Sequence, residues 1–211
     1  MHREATPPHR VTQAVILVGG KGTRLGELTT STPKPLMPIN DYFVLLDLLL
    51  TNLVRQGFSD ILLLAGHFGE QIEKRFQNRK IMGAQIETLI EDLTLGTAGA
   101  LKNAFSKLQD DFLVLNGDSH FEISFRDQEN ELRLNPSTEG VIALRNIADA
   151  QRHGNAELEN GFIVSFEEKV NKRGQNDTLL NAGIYLLRKN TTWGNQFPKF
   201  IGKRHFPQAC P

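Results

Sequence analysis

The stretch Ala14-Val-Ile-Leu-Val18 permits few folds. It is an apolar, largely β-branched run that stops abruptly at Gly19-Gly20-Lys21-Gly22. A continuous apolar run bounded by glycine reads as a strand buried on both faces, as in a parallel sheet covered by helices. A glycine-rich loop leaving such a strand brings backbone N–H groups close to an anion. Lys21, Arg24 and Lys34 follow, with Glu27 the one nearby acid. The residues alone therefore read as a polyphosphate cradle.

Two common phosphate motifs fail here. The P-loop needs Gly-x-x-x-x-Gly-Lys-Ser/Thr, but Gly20-Lys21 is followed by Gly22 and its first glycine position holds Val15. The dinucleotide fingerprint Gly-x-Gly-x-x-Gly, started at Gly20 and Gly22, would place its third glycine on Leu25.

Further along, strand and helix patterns alternate. A first strand spans about Gln13 to Val18. Tyr42 to Gln56 is apolar nearly all round, as in a helix buried against a sheet, and Gly57 suits its end. Ile61 to Ala65 reads as a second strand, Glu70 to Asn78 as a helix with Ile72 and Phe76 on one face, and Gln85 to Glu91 as an alternating third strand. Gly96 to Leu108 reads as a helix opening on small residues, and Phe112 to Asn116 as a buried strand ending in Gly117-Asp118. This succession predicts a mostly parallel sheet with helices on both faces and ligands at the carboxyl ends of its strands. Beyond residue 135, Gly140–Arg145, Asn155–Leu158, Phe162–Phe166 and Leu180–Leu187 read as short strands, with Asn160-Gly161 a hairpin turn. Phe200 to Pro211 matches neither a strand nor a helix pattern.

These patterns divide the chain into a disordered tail (1–12), a single domain over 13–190 and a divergent C-terminal tail (191–211). Within the domain, 13–135 form a first half and 136–190 a second. Lys+Arg and Asp+Glu both number 24, so no net charge draws the protein to nucleic acid or to an anionic membrane. The single cysteine, Cys210, forms no internal disulfide, in keeping with a reducing cytosol. Met1 to Gln13 lacks a secretory pattern, and Tyr42 to Val54, the most apolar stretch, contains Asp47 and Asn52 and is too short for a bilayer. The expectation is a soluble, cytoplasmic protein, with an oligomer compatible with the sequence.

Gly-Gly-x-Gly-Thr-Arg-Leu over 19–25, with Pro33-Lys-Pro-Leu-Met-Pro-Ile39 downstream, resembles the signature of the sugar-1-phosphate nucleotidyltransferases. Leu95-Gly-Thr-Ala-Gly-Ala100 looks closest to the compact heptose- or mannose-1-phosphate guanylyltransferases. The resemblance implies a Rossmann-like three-layer nucleotide-diphospho-sugar transferase fold. It also implies transfer of a nucleoside monophosphate from a nucleoside triphosphate to a sugar 1-phosphate, in nucleotide-sugar biosynthesis for cell-surface polysaccharide. Such a reaction needs no strong general base, because the attacking phosphate oxygen is already ionised. Positive charge and positioning carry it.

By this resemblance, Leu17, Gly19, Gly20, Gly22 and Thr23 hold the nucleotide, Arg24 grips its terminal phosphates, and Lys34 neutralises charge at the reacting ones. Gly96 and Thr97 lie nearest the nucleoside. Asp118, in Asn116-Gly-Asp behind a buried strand, is the metal candidate, since a carboxylate oxygen suits Mg²⁺. On the acceptor side Gly154, Glu168, Lys169 and Asn181 meet the sugar phosphate: Glu168 its hydroxyls, Lys169 its phosphate, and Asn181-Ala-Gly183 the sugar. The family continues to a Trp-x-Asp-x-Gly-Thr segment carrying a second metal carboxylate. Here Trp193-Gly-Asn195 has no Asp, and the last acid is Asp177. The alternative expectation is thus a catalytically impaired nucleotide- or NDP-sugar-binding module.

Overall fold

The computed structural model describes residues 10–20, 32–91, 96–118, 123–147, 155–167, 178–190 and 200–205. The apolar run at the start forms strand β1 (Gln13–Leu17), with Ala14, Val15 and Ile16 wholly buried. On one side β1 pairs in parallel with β2 (Asp60–Ala65), which pairs in parallel with β4 (Ala84–Ile90). On its other side it pairs in parallel with β5 (Asp111–Asn116), so that Val15 lies between Leu62 and Val114. The chain therefore reverses direction across the sheet at β1, the switch point where open α/β sheets leave a crevice beyond their strand ends.

Helices cover both faces. Helices α1 (Leu45–Arg55), α2 (Gly69–Phe76) and α4 (Phe125–Leu134) bury Leu46, Leu50, Leu53, Ile72, Phe76 and Phe125 against the face formed by Ala14, Ile16, Ile61 and Leu63. Helix α3 (Gly96–Asn103) buries Ala100 and Leu101 against Val15, Leu62, Leu64 and Val114 on the opposite face. The expected three-layer architecture is present. The four strands β4-β2-β1-β5 are mutually parallel, and mixed pairings extend the sheet on either side to ten strands.

Beyond residue 135 the strands are β6 (Gly140–Ile147), β7 (Asn155–Glu159), β8 (Phe162–Glu167) and β9 (Thr178–Arg188). Asn160 and Gly161 both take positive φ, at 51° and 83°, and close the β7–β8 hairpin as the sequence predicts. Strand β9 runs antiparallel to β5 and to β6, so one sheet joins both halves of the molecule.

Several elements differ from the sequence reading. Helix α1 begins at Leu45, not Tyr42: Tyr42 and Phe43 precede it and are exposed, as is Leu48 on the helix itself. Its acid, Asp47, is buried. It accepts the Val44 N–H at 3.1 Å and pairs with Arg75 and Arg79, also at 3.1 Å. Helix α3 stops at Asn103 and passes into a 3-10 turn, Phe105–Lys107, with Phe105 half exposed. Two strands and a helix add to the reading: β3 (Lys80–Ile81), α4, and β10 (Phe200–His205). Strand β10 corrects the expectation that nothing regular lies beyond residue 200, because it lies parallel to β6 and antiparallel to β8. Among the described residues, no helix is long and apolar enough to cross a membrane.

One glycine shapes the region between the halves. Tyr185 pairs with Ile142 and Asn181 with Leu144, so β9 carries two more residues than β6 over this interval and bulges around Gly183. Gly183 sits at φ 71°, and a Cβ there would overlap the Asn116 amide. Gly183→Ala is expected to destabilise the fold by about 1–3 kcal/mol, the left-handed backbone supplying most of this and displacement of Asn116 the rest. Urea unfolding with an unchanged midpoint would refute that reading of the bulge.

Candidate functional site

The parallel strands end together. The Val18 N–H donates to the Leu64 carbonyl at 2.9 Å, Gly117 N–H to Leu17 at 2.9 Å, and Glu91 N–H to Ala65 at 2.7 Å. These bonds knit the segments leaving β1, β2, β4 and β5 into one floor. Two glycines let them approach so closely. A Cβ on Gly19 would lie 2.7 Å from the Gly66 nitrogen, and one on Gly117 would lie 2.5 Å from a Val18 methyl and 3.0 Å from the Leu17 carbonyl. Backbone cannot yield as a side-chain tip can, so both positions need glycine for packing reasons.

Above this floor lies a cavity of about 270 Å³, lined by Leu17, Gly19, Gly20, Lys34, Gly96, Thr97 and Asp118 among others. These are the described members of the donor set expected from sequence, gathered from four separate elements. Gly20 differs from Gly19. A Cβ placed on it would meet none of the described residues within 4 Å, and its φ is outside the left-handed region. Among the described residues, neither packing nor backbone conformation explains glycine there. Gly96, at φ 68° and likewise open, starts α3 on the opposite wall.

Lys34 reaches the cavity from a rigid support. Pro33 and Pro35 flank it, the Leu36 N–H donates to Pro33 at 2.8 Å and Met37 to Lys34 at 3.0 Å. Met37 in turn accepts the Leu45 N–H at 3.0 Å, fastening the turn to the start of α1. Across the rim, the Lys34 ammonium lies 3.3 Å from the Asp118 carboxylate, their side chains 34% and 50% exposed. A cation and a carboxylate thus stand side by side on the cavity lining.

Asn181 lies next door. A second hollow of about 260 Å³ is lined by Thr97, Leu101, Val114, Ile142, Asn181, Tyr185 and others, and Thr97 lines both. Gly22, Thr23, Arg24, Gly154, Glu168 and Lys169 lie outside the described residues. The sequence reading gave no role to Val18, Pro35, Leu64, Glu91, Ala100 or Asn116, which also line the first cavity. Pro35, Ala100 and Asn116 sat inside quoted motifs and Glu91 ends a predicted strand, so adjacency could have found them. Leu64 is an ordinary core residue by sequence, and only the sheet topology brings it to the site.

A family model described as nucleotidyl transferase matches residues 13–193. The chain belongs to the nucleotidyl transferase family. Among similar members, a D-glycero-alpha-D-manno-heptose 1-phosphate guanylyltransferase from Campylobacter jejuni is 37% identical, over 84% of this chain and 76% of its own length. A protein of the same name from Aneurinibacillus thermoaerophilus is 33% identical, over 84% and 75%. The mannose-1-phosphate guanylyltransferase catalytic subunit beta of Drosophila melanogaster is 34% identical, over 93% of this chain and 54% of its own. The crystal structure of HddC from Yersinia pseudotuberculosis complexed with GMP-PN superposes with a TM-score of 0.76, covering 92% of this chain and 91% of that one. At 24% identity it testifies to the nucleotidyl transferase fold alone.

Proposed function

We propose that this nucleotidyl transferase moves a nucleoside monophosphate from a nucleoside triphosphate, GTP in the first instance, to a heptose or mannose 1-phosphate. A phosphate oxygen of the sugar 1-phosphate forms a bond to the α-phosphorus. The bond from that phosphorus to the β-phosphate oxygen breaks, and pyrophosphate leaves with the electron pair. The observation that carries the reading is the placing of Lys34, Gly20, Thr97 and Asp118 around one cavity at the β1–β5 switch point. The guanylyltransferase relatives, which match most of the chain, favour turnover over a silent binding module.

The assignments divide by charge. Gly19, Gly20 and, by resemblance, Gly22 and Thr23 offer backbone donors to the phosphates, with Arg24 and Lys34 supplying positive charge. Gly96 and Thr97 face the nucleoside and Asn181 the acceptor, for which Gly154, Glu168 and Lys169 are contacts by resemblance. A single ten-stranded sheet supports treating 13–135 and 136–190 as donor and acceptor halves of one unit.

Mg²⁺ fits the donor set. Among the described residues no group of three or more His, Cys, Asp or Glu forms a closed cage. One half-exposed carboxylate beside a phosphate cavity suits an ion that takes the rest of its shell from phosphates and water. Asp118 would hold it, and the ion would supply charge neutralisation at the phosphates. The reading sets the work in the cytoplasm, in nucleotide-sugar synthesis for cell-surface polysaccharide.

The direct test is pyrophosphate release with Mg²⁺ and a panel of nucleoside triphosphates and sugar 1-phosphates. Turnover is expected, fastest with GTP; no turnover with any pair would overturn the proposal. A variant isolates the cradle. Gly20→Val should leave the melting temperature unchanged, since its side chain meets none of the described residues, yet raise KM for the triphosphate about tenfold, or about 1.4 kcal/mol. An unaltered KM would remove Gly20 from the site.

A further inference from the structure

Tyr185 lies on β9 and lines the second hollow together with Thr97 and Asn181. Residues four apart in a regular strand stand about 13 Å apart, beyond easy reach of one another. The bulge around Gly183 shortens that interval, and the Asn181 side-chain nitrogen donates to the Tyr185 hydroxyl at 2.7 Å. The Asn181 side-chain oxygen accepts the Gly183 N–H at 2.8 Å. A backbone N–H can only donate, so the amide oxygen must face Gly183 and the amide nitrogen must face Tyr185. Both ends of the carboxamide are thereby assigned, although Asn181 itself is exposed.

The support is firm on the Tyr185 side. The ring is half-buried beside Val114, Ile142 and Leu187 in the second hollow. Burial pushes its phenol above the usual range, outweighing the Asn181 hydrogen bond that pulls it down. The hydroxyl therefore keeps its proton at any ordinary assay pH.

We propose that Tyr185 is a positioning residue for the acceptor: its hydroxyl holds the Asn181 carboxamide so that the remaining amide N–H is offered to an oxygen of the acceptor sugar. This rests on the reading of Asn181 as an acceptor contact. It deepens that reading by giving the amide a direction. The N–H left free by the Tyr185 bond is a donor, and it recognises an oxygen that accepts a hydrogen bond.

Tyr185→Phe removes the hydroxyl and leaves the ring. In steady-state kinetics on the full chain, KM for the sugar 1-phosphate is expected to rise about 3- to 10-fold, the worth of one hydrogen bond. KM for the triphosphate should stay within about twofold. In an Asn181→Ala background the same substitution should add nothing to the acceptor KM, because the hydroxyl acts through that amide. A loosened core would instead move both KM values and would add its effect in either background. Equal KM changes for the two substrates, or full additivity in the double variant, overturn the positioning role and leave the transferase reading standing. Absence of turnover in the unsubstituted chain sinks both.

Discussion

Lys34→Ala is expected to lower kcat about 10²- to 10³-fold, the usual cost of deleting one preorganised charge stabiliser. The melting temperature should scarcely move. Two features separate these effects. First, Lys34 is fixed by the Pro33–Pro35 turn and by the hydrogen bonds that tie Met37 to α1, so its ammonium is in place before substrate arrives. Negative charge grows on the departing pyrophosphate as the bond breaks, and a cation already in position stabilises it without reorganising. Second, the ion pair with Asp118 adds little to folding. Its side chains are 34% and 50% exposed, and such pairs contribute about 0–1 kcal/mol. For a chain of this size that is at most about 4 °C. Pyrophosphate release and a thermal melt on the same sample decide the matter. An intact rate would show that the cradle has been assigned to the wrong lysine, and a collapsed melt would show that Lys34 is structural. Lys34→Arg should recover only part of the rate, because a planar fork cannot occupy the position of a compact ammonium.

What could be read in the sequence follows a physical division. Ala14 to Val18 announces itself because a strand covered on both faces has no polar residue to interrupt it, and the same holds for Ile61–Ala65 and Phe112–Asn116. The groups that carry chemistry sit at the ends of those strands, so finding Gly19, Gly20 and Asp118 required little beyond finding β1 and β5. Helix α4 was not found because it touches the core with Phe125, Gln128 and Leu132 alone, too few apolar residues for a period to emerge. Strand β10 was hidden for a different reason. Its Gly202 accommodates Leu144 and Leu158, whose methyl carbons would lie 2.6 and 2.5 Å from any Cβ there, and these neighbours are remote in sequence. Tyr185 was missed because its role depends on a bulge, and a bulge is a register relation between two strands.

Asp118→Asn should be as damaging as the loss of Lys34, with a distinct signature. The substitution keeps the shape and removes the charge, so the rim loses its ion pair but no packing. Stability should again change by less than about 1 kcal/mol. Asparagine offers a neutral oxygen where a hard dication prefers a carboxylate, so the Mg²⁺ concentration needed for half-maximal rate should rise, with a rate deficit of about 10²-fold persisting at saturation. The lysine variant behaves differently, since Lys34→Ala should lose rate at every Mg²⁺ concentration without shifting that midpoint. A measurement independent of turnover separates the two roles. The rise in melting temperature produced by GTP depends on binding to the folded state, and for Asp118→Asn the extra rise that Mg²⁺ confers should shrink. For Lys34→Ala the Mg²⁺ increment should remain. If Asp118→Asn keeps both its Mg²⁺ midpoint and its Mg²⁺-dependent melting shift, Asp118 is the counter-ion of Lys34 and nothing more. The metal would then have to be held by groups other than the carboxylate at the end of β5.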